Sequence, residues 1–567
     1  MSDCLKNTRI KKESILLILL AILVFLINIM HIKDLSIFTI TTDEFGYWSN
    51  AAFLAGVDWS NIISNIPYYY SYGYSLLLVP LFWLFEDPSS MYKAAIILNG
   101  VFLSASFLLC YDIARKLSAL ENKYFLLAIS FLILMYPTYI AYSNIAWSEC
   151  LLIFVFWLLS WCFVNLNILS NIFNYIFITF LSVYIYAIHQ RALGVLIASI
   201  ILILLMSLHK QISLKQLIIT MLAFMFFWAM ASNVKEYLQM YLWLDNSGNL
   251  ANDYTAQTGK LAQLFTIDGF VKALKILCGQ IFYLGASTYL VCYFGIYKLI
   301  KSIGKVIANN YYKAVTIESN PDFYLHLFLL TSLLMTIAIS VIFKINPSRV
   351  DHIVFGRYTE IVIGPIILVG ILKLFEKEDI NNRLFLGLLG LFSCLAVITY
   401  FTIQEFNLPL CNLLHSVGLI FMQTPLSIFI PCLIAILAGR LIYITFPKKN
   451  IQTVISIVLI AGLFLSSGEV VAKSIVGANQ LNMEIVKSVN IITSANDELP
   501  IYFLMDDPNM TKILNHPLYS KILYCYQFLL ADREIFLVNS LELSTLDEDK
   551  FVLSSEIYNL FDLLKDY

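Results

Sequence analysis

Charged residues are scarce in this 567-residue chain. Asp, Glu, Lys and Arg make up 13% of it, against roughly 25% in an ordinary soluble protein. Hydrophobic residues reach 60%, and the mean hydropathy is +0.79. The formal net charge is −2, and no soluble segment carries clustered Lys and Arg, which excludes nucleic acid as a partner because phosphate backbones require such clusters. The composition predicts a membrane protein with many spans.

The chain also lacks the common motifs of metal and nucleotide sites. Its 10 cysteines are scattered, mostly inside apolar runs, without a Cys-x-x-Cys pair or the Cys/His spacing of zinc sites, which predicts buried apolar residues. The C-terminal segment has no Gly-rich phosphate loop, H-E-x-x-H or G-x-S-x-G. The apolar run 14–30 is long for a signal-peptide core and has no small-residue cleavage site, which predicts an uncleaved first span.

Long apolar runs are what the chain does contain. Runs near ~20 residues are long enough to cross a bilayer. About thirteen are predicted, at 14–33, 92–114, 124–143, 150–168, 174–188, 192–208, 216–232, 280–300, 323–343, 360–375, 383–402, 426–446 and 452–468. Lys and Arg collect in the N-terminal head and in alternate loops, which by the positive-inside rule places the N-terminus in the cytoplasm and, with an odd number of spans, the C-terminus outside.

The predicted fold class is an all-α polytopic protein of the plasma (inner) membrane with a small C-terminal extracytoplasmic α/β domain. Residues 1–468 form the membrane domain, with a first outer loop at 34–91 and a large outer loop at 233–279. The apolar piece from Leu76 to Phe85 is too short to cross and is expected to lie in the interface. Residues 469–567 form the second domain, with strands predicted at 501–505, 535–538 and 550–553.

Three carboxylates are the candidate catalytic groups. Asp43 and Glu44 follow the first apolar run, and Glu149 opens the fourth predicted span beside Trp147. Acids this close to a membrane are costly, so the pair is interpreted as a general base with a carboxylate that orients it or helps hold a divalent cation. The alternative is that Asp43 and Glu44 complement a helix dipole and that Glu149 merely caps a span.

Cationic and aromatic residues supply the remaining candidates. His189 and Arg191 interrupt an apolar stretch, and Arg349, His352, Arg357 and Tyr358 belong to the densest polar segment between spans. Guanidinium groups match phosphate oxygens and can stabilise leaving-group charge; an interfacial snorkelling Arg and a salt-bridged loop are the alternatives. Tyr47, Trp48 and Tyr72 could contact a sugar, or belong to the aromatic belt at the bilayer surface.

Four short segments together resemble the GT-C superfamily of integral-membrane glycosyltransferases, particularly the branch of lipid A aminoarabinose transferases and protein O-mannosyltransferases. These are Thr42-Asp43-Glu44, the stretch from Ser71 to Phe85, Trp147-Ser148-Glu149 and Gly356-Arg357-Tyr358. Each is short, and their order along the chain carries the resemblance.

The resemblance implies a polyprenyl-phosphate sugar as donor, an envelope lipid, glycan or protein as acceptor, and inverting transfer on the outer face. Asp43 would be the base, Glu44 its partner and Glu149 the acid of the next outer loop. His189, Arg191 and Arg357 would contact the donor phosphate. The metal-binding arrangement of the oligosaccharyltransferase branch is missing from the sequence, so no cofactor is assigned and a divalent cation stays open.

Two other classes fit a chain of many spans. A transporter or flippase of lipid-linked sugar would place charges near the midplane and show repeated halves, whereas the polar clusters here fall at span ends and no repeat is evident. An envelope polymer ligase or polymerase would use a diphosphate-linked donor and Arg-rich outer loops. The acidic pair in the first loop argues only moderately against that class.

Overall fold

The structure is a computed structural model that describes residues 2–553 except 64–68, 119, 121, 167–170, 244–257, 313–321, 355, 377–380, 409–423, 482–484, 488, 491–498, 505–516, 532 and 546–550. The helices are α1 (Ser2–Asn28), α2 (Thr41–Ala55), α3 (Ser60–Ile63), α4 (Ser75–Leu84), α5 (Pro88–Leu117), α6 (Lys123–Leu134), α7 (Pro137–Ser143), α8 (Glu149–Val164), α9 (Ile172–Ile188), α10 (Leu193–Leu208), α11 (Leu214–Tyr241), α12 (Thr258–Gln263), α13 (Ile267–Ser287), α14 (Val291–Tyr312), α15 (Phe323–Phe343), α16 (Asp351–Val354), α17 (Glu360–Glu376), α18 (Asn382–Phe406), α19 (Phe429–Thr445), α20 (Ile451–Leu481), α21 (Pro517–Leu529) and α22 (Ser540–Ser544).

Long apolar helices dominate this architecture, as predicted. Within the described ranges, nine helices are long and apolar enough to span a membrane, and α6 with α7, bent by 59°, would make a tenth. The predicted number was about thirteen because α8, α9 and α17 were also counted as spans; they have 16, 17 and 17 residues. Their length is below the ~20 residues usual for a span, so they would cross only where the bilayer is locally thinner.

Two predicted boundaries differ from the structure. The segment 280–300 is not one helix, because Tyr289 and Leu290 adopt positive φ angles of 50° and 67° between α13 and α14. The large loop predicted at 233–279 is shorter, since α11 continues to Tyr241 and α13 begins at Ile267; residues 244–257 of it lie outside the described ranges. The sequence predicts a short amphipathic helix at 268–278 inside this loop, and α13 extends that helix to Ser287. Its first half carries the charged Asp268, Lys272 and Lys275, which is why a span was predicted only from residue 280.

Helix α2 follows the first span and positions the candidate acids. Asp43 and Glu44 lie in its first turn, where carboxylates are favoured by the helix dipole. The helix ends at Gly56, whose φ of 97° is accessible to glycine at little cost. Helix α4, Ser75–Leu84, matches the short apolar helix predicted at 76–85.

A three-stranded parallel sheet lies in the C-terminal part. Its strands are β1 (Ile501–Leu504), β2 (Ile535–Val538) and β3 (Phe551–Leu553), in the order β2-β1-β3, where the strands were predicted. The boundary predicted at 468 falls inside α20, which continues to Leu481.

Helix α21, which belongs to this C-terminal part, packs onto α2. The ring of Tyr524 stacks on Phe45 at 4.4 Å, and Phe528 contacts both Phe38 and Trp48. The indole Nε1 of Trp59 donates to the carbonyl of Ala531 at 2.7 Å. The helix that carries Asp43 is therefore covered by the C-terminal part of the chain.

Candidate active site

The two adjacent acids of α2 point in different directions, as expected for neighbours about 100° apart around a helix. Glu44 is fully buried, and its oxygens accept from the backbone N–H groups of Thr39, Ile40 and Ala146 and from the hydroxyl of Tyr92, at 2.7 to 3.0 Å. All four partners are donors. Glu44 thus joins the start of α2 to α5 and to the segment before α8, away from the contacts of Asp43.

Asp43 is the partly exposed acid of the pair. Its side chain is 23% exposed, and its Oδ2 lies 2.7 Å from Nη1 of Arg357. The hydroxyl of Tyr70 donates to its Oδ1 at 3.0 Å. Asp43 therefore has two partners and still reaches solvent.

Glu149 lies at the other side of Arg357. Its Oε1 is 2.5 Å from Nε of Arg357 and 2.9 Å from Nη2 of Arg191, and the hydroxyl of Ser148 donates to Oε2 at 3.2 Å. The side chain is fully buried. Two guanidinium groups converge on this one carboxylate, which keeps both cations in place where burial alone would disfavour them.

Arg357 is the central residue of the cluster. It reaches from the loop before α17 to both Asp43 and Glu149, and its guanidinium lies over the ring of Trp147, 4.2 Å from the centroid. Burial by itself lowers the pKa of Arg357, but Glu149 and Asp43 raise it overall, so the side chain stays charged. Its side chain is 20% exposed, which leaves part of it accessible to a ligand.

Arg191 and His189 lie in the turn between α9 and α10. Arg191 is only 1% exposed, and its Nε makes no hydrogen bond to any described residue. The Nδ1 of His189 accepts from the backbone N–H of Arg191 at 3.2 Å. Burial and the nearby Arg191 and Arg357 hold the pKa of His189 well below its usual range, so it is neutral and shapes the turn.

The other predicted phosphate ligands form a separate group. Arg349 pairs with Asp351 at 2.9 Å, and Nδ1 of His352 accepts from the N–H of Ser348. The ring of Tyr358 lies 5.0 Å from the ammonium of the buried Lys344. Burial lowers the pKa of Lys344 to about 8, and the nearby Arg357 and Arg191 contribute to that shift, so this group lies within electrostatic reach of the two arginines.

The predicted sugar contacts lie in three different places. The hydroxyl of Tyr47 is 2.8 Å from that of Ser148, next to Glu149. Trp48 is fully buried between Phe38 and Phe528 and belongs to the contact with α21. Tyr72 donates to the carbonyl of Ala231 at 3.0 Å and lines a separate cavity.

Two polar residues in or near the charged cluster were not proposed as site residues from the sequence. Tyr70 donates to Asp43, but it lies in the tyrosine cluster 68–74, which was interpreted as a sugar-stacking platform or, by default, as an aromatic belt. Glu360, three residues after Arg357, is fully buried and accepts from the hydroxyls of Thr138, Tyr142 and Tyr283. A carboxylate at the start of an apolar run is the signal that had pointed to Glu149, and it applied equally to Glu360.

The described part of the site offers no ready ligand set for a divalent cation. The described residues contain no group of three or more His, Cys, Asp or Glu side chains that could hold a metal ion. Asp43 and Glu149 face a guanidinium, and Glu44 faces four donors. The arrangement instead offers one accessible carboxylate beside two positive charges.

No protein-family model and no curated protein matches the sequence. Among solved structures, the chain is similar to ArnT from Cupriavidus metallidurans bound to undecaprenyl phosphate, with 12% identity, a TM-score of 0.45 and coverage of 96% of this chain and 90% of that one. The apo state of ArnT gives 10% identity and a TM-score of 0.43, with coverage of 97% and 90%.

Proposed function

We propose that the chain is an integral-membrane glycosyltransferase that moves a sugar from a polyprenyl phosphate to an envelope lipid, glycan or protein on the outer face of the membrane. The observation that carries the proposal is the row Asp43, Arg357, Glu149 and Arg191, in which each charge contacts the next at 2.5 to 2.9 Å. One accessible base next to two guanidinium groups matches the needs of transfer from a phosphate-linked donor.

Asp43 is proposed as the base. Its Oδ1 or Oδ2 takes the proton of an acceptor hydroxyl or amine while the acceptor atom forms a bond to the anomeric carbon. The bond between that carbon and the phosphate oxygen breaks, and its electron pair stays on the phosphate. Attack from the face opposite to the leaving phosphate gives inversion.

Arg357 and Arg191 are proposed to stabilise the departing phosphate. Charge grows on that group during transfer, and fixed cations in a site with little water stabilise it strongly. Arg357 also holds Asp43 in the free protein. A donor phosphate that takes over this contact leaves Asp43 with Tyr70 alone, and the carboxylate becomes a stronger proton acceptor only when the donor is bound.

Glu149 is proposed as a positioning residue for the two arginines. It is fully buried and already bound to both guanidinium groups, so a proton acceptor role would require it to give up those contacts. Glu44 is assigned the same kind of role for α2. The proposed machinery therefore needs one catalytic carboxylate, Asp43, where the sequence suggested three.

Asp43→Asn tests the proposal in proteoliposomes supplied with polyprenyl-phosphate sugar and envelope acceptors. Asn keeps the shape but loses the basic oxygen, so turnover should fall by at least ~100-fold, in line with the usual contribution of a general base, while the melting temperature changes little. Asp58→Asn is the matched control, because Asp58 is exposed in the same loop and caps Ser60, a task that Asn also performs. Full activity of Asp43→Asn would refute the assignment.

The same vesicles distinguish the transporter alternative. A flippase would move lipid-linked sugar across the bilayer without forming a product, whereas the proposed transferase forms product from donor already on the correct side. If the wild-type protein moved the donor across the bilayer and transferred no sugar, it would be a transporter and the proposed function would be wrong.

A further inference from the structure

A cavity of about 320 Å³ lies between residues 69–72, the end of α9 and the end of α11. Four aromatic residues contribute to its lining: Tyr69, Tyr72, Tyr186 and Trp228. The last two are stacked with ring centroids 5.2 Å apart. The proposed chemistry of Asp43 does not use this space.

The cavity shares its wall with the charged cluster. Tyr69 and Ser71 line it and flank Tyr70, whose hydroxyl bonds Asp43. Gln190 lines it as well and directly precedes Arg191, the partner of Glu149. Consecutive Cα atoms are about 3.8 Å apart. In both segments, therefore, a residue that lines the cavity is the direct neighbour of a residue of the charged cluster.

This wall is fixed by hydrogen bonds and by close packing. The N–H of Gly73 donates to the carbonyl of Ala187 at 2.8 Å, and the hydroxyl of Tyr184 donates to the carbonyl of Gly73 at 3.0 Å. A Cβ at Gly73 would lie 2.5 Å from the backbone nitrogen of Ile188, so only glycine allows this approach. The cavity is thus formed before any ligand arrives, which reduces the entropic cost of binding.

The lining fits a sugar ring better than a phosphate or a lipid tail. Aromatic faces carry partial negative charge and attract the C–H groups of a pyranose, while side chains such as Gln190, Ser232 and Gln239 can bond its hydroxyls. One Lys and one Glu in the lining cancel in formal charge. The volume is at the lower end of the ~300–1,000 Å³ typical of small-molecule sites.

We propose that this cavity binds a sugar ring of the transfer reaction, either the sugar of the donor or a sugar unit of the acceptor. The inference rests on the proposed function, because it assigns the cavity to a substrate of that reaction. It makes Trp228 and Gln239 specificity-determining residues that contact the sugar. Asp43 and Arg357 act at the anomeric carbon, where one bond breaks and another forms.

Trp228→Leu and Gln239→Ala test the cavity in the same transfer assay, with KM determined separately for donor and acceptor. We expect a 5- to 50-fold rise in one KM with kcat within about threefold, and recovery toward wild-type KM in Trp228→Phe, which keeps an aromatic face. A rise for the donor assigns the donor sugar, and a rise for the acceptor assigns the acceptor sugar. Trp83→Leu, at an exposed indole of α4, is the control. Unchanged KM values for both substrates would overturn the proposal.

If the wild-type protein transfers no sugar, the proposed function is wrong. In that event, sugar binding to the cavity is tested without the transfer reaction. The protein is titrated with methyl hexopyranosides and methyl pentopyranosides while its tryptophan fluorescence is measured. A saturable change in wild type that is lost in Trp228→Leu supports the sugar site. No saturable change with any of these glycosides overturns it.

Discussion

The ring of Tyr70 lies directly against the backbone of Gly46, one helical turn after Asp43. A Cβ at position 46 would lie 2.7 Å from Cε2 of that ring and closer still to Cγ and Cδ2. The missing side chain of Gly46 therefore lets the tyrosine approach α2 so closely that its hydroxyl reaches Oδ1 of Asp43. A glycine and a tyrosine that are 24 positions apart together set the orientation of the proposed base.

Gly46→Ala should separate Tyr70 from Asp43. The added methyl group overlaps a ring held among other side chains, so we expect a destabilisation of ~1–3 kcal/mol from overpacking and a roughly tenfold loss of turnover through the lost hydrogen bond. Both are measured on purified protein, by thermal unfolding and by the transfer assay. Gly390→Ala is the control, since no atom lies within 4 Å of its Cβ position in α18; equal behaviour of the two variants would contradict the role of Gly46.

Arg357→Lys should impair donor binding more than folding. An ammonium group is a point charge and does not reproduce the two separate contacts that Nε and Nη1 make with Glu149 and Asp43. We expect kcat/KM for the donor to fall by about 100-fold or more. Arg440→Lys, at an exposed position of α19, should stay near wild type. A donor kcat/KM within threefold of wild type would rule out Arg357 as a phosphate ligand.

Stability should depend on pH through Glu44. Burial raises the pKa of Glu44 from 4.5 to about 7, although Tyr92 and the N–H groups of Thr39, Ala146 and Ile40 lower it. The folded chain then binds this proton more tightly than the unfolded chain, so the free energy of unfolding decreases as pH rises from about 5 to 7, by about 3 kcal/mol at most, and changes little above that range.

Glu44→Gln should remove this pH dependence. The melting temperature of the variant, measured in detergent between pH 5 and 8, should vary less than that of wild type. It should be lower at pH 5 because the amide brings two N–H donors, against one O–H in the protonated carboxyl, to partners that are themselves donors. Glu86→Gln, at an exposed residue, should keep the wild-type slope. A variant of Glu44 with an unchanged slope would mean that other groups produce the dependence.

Phe528→Ala should weaken the contact between α21 and α2. This ring contacts Phe38, Trp48 and Tyr92, so its removal leaves a cavity that costs ~3–5 kcal/mol. We expect lower turnover even where the protein remains folded, because the helix that carries Asp43 loses its cover. Leu541→Ala removes an exposed side chain of the C-terminal part and should change stability by less than ~0.5 kcal/mol. Equal activity of both variants would show that the contact between α21 and α2 is not needed for turnover.

The sequence alone was sufficient for the strands and for most of the helices. Apolar runs and the short β-rich segments at 501–504 and 535–538 are local patterns, and these strands lie where they were predicted. The break at Tyr289 and Leu290 interrupts an apolar run and was missed. The roles within the charged cluster depend on distant partners instead. Whether Asp43 or Glu44 meets Arg357 is decided by the direction of each side chain around α2 and by a loop more than 300 residues away, and neither appears in the local sequence.

Helix α21 can cover α2 only near the end of translation, because the two are far apart in the chain. Trp59 and Ala531, which bond across this contact, are 472 residues apart. At the usual ~5–20 residues synthesised per second, roughly 25 to 95 s pass between the two. During that interval Phe45 and Trp48 have no aromatic partner from α21, so the first loop is complete only late in translation. Ribosomes stalled before residue 517 would therefore carry an inserted but inactive chain.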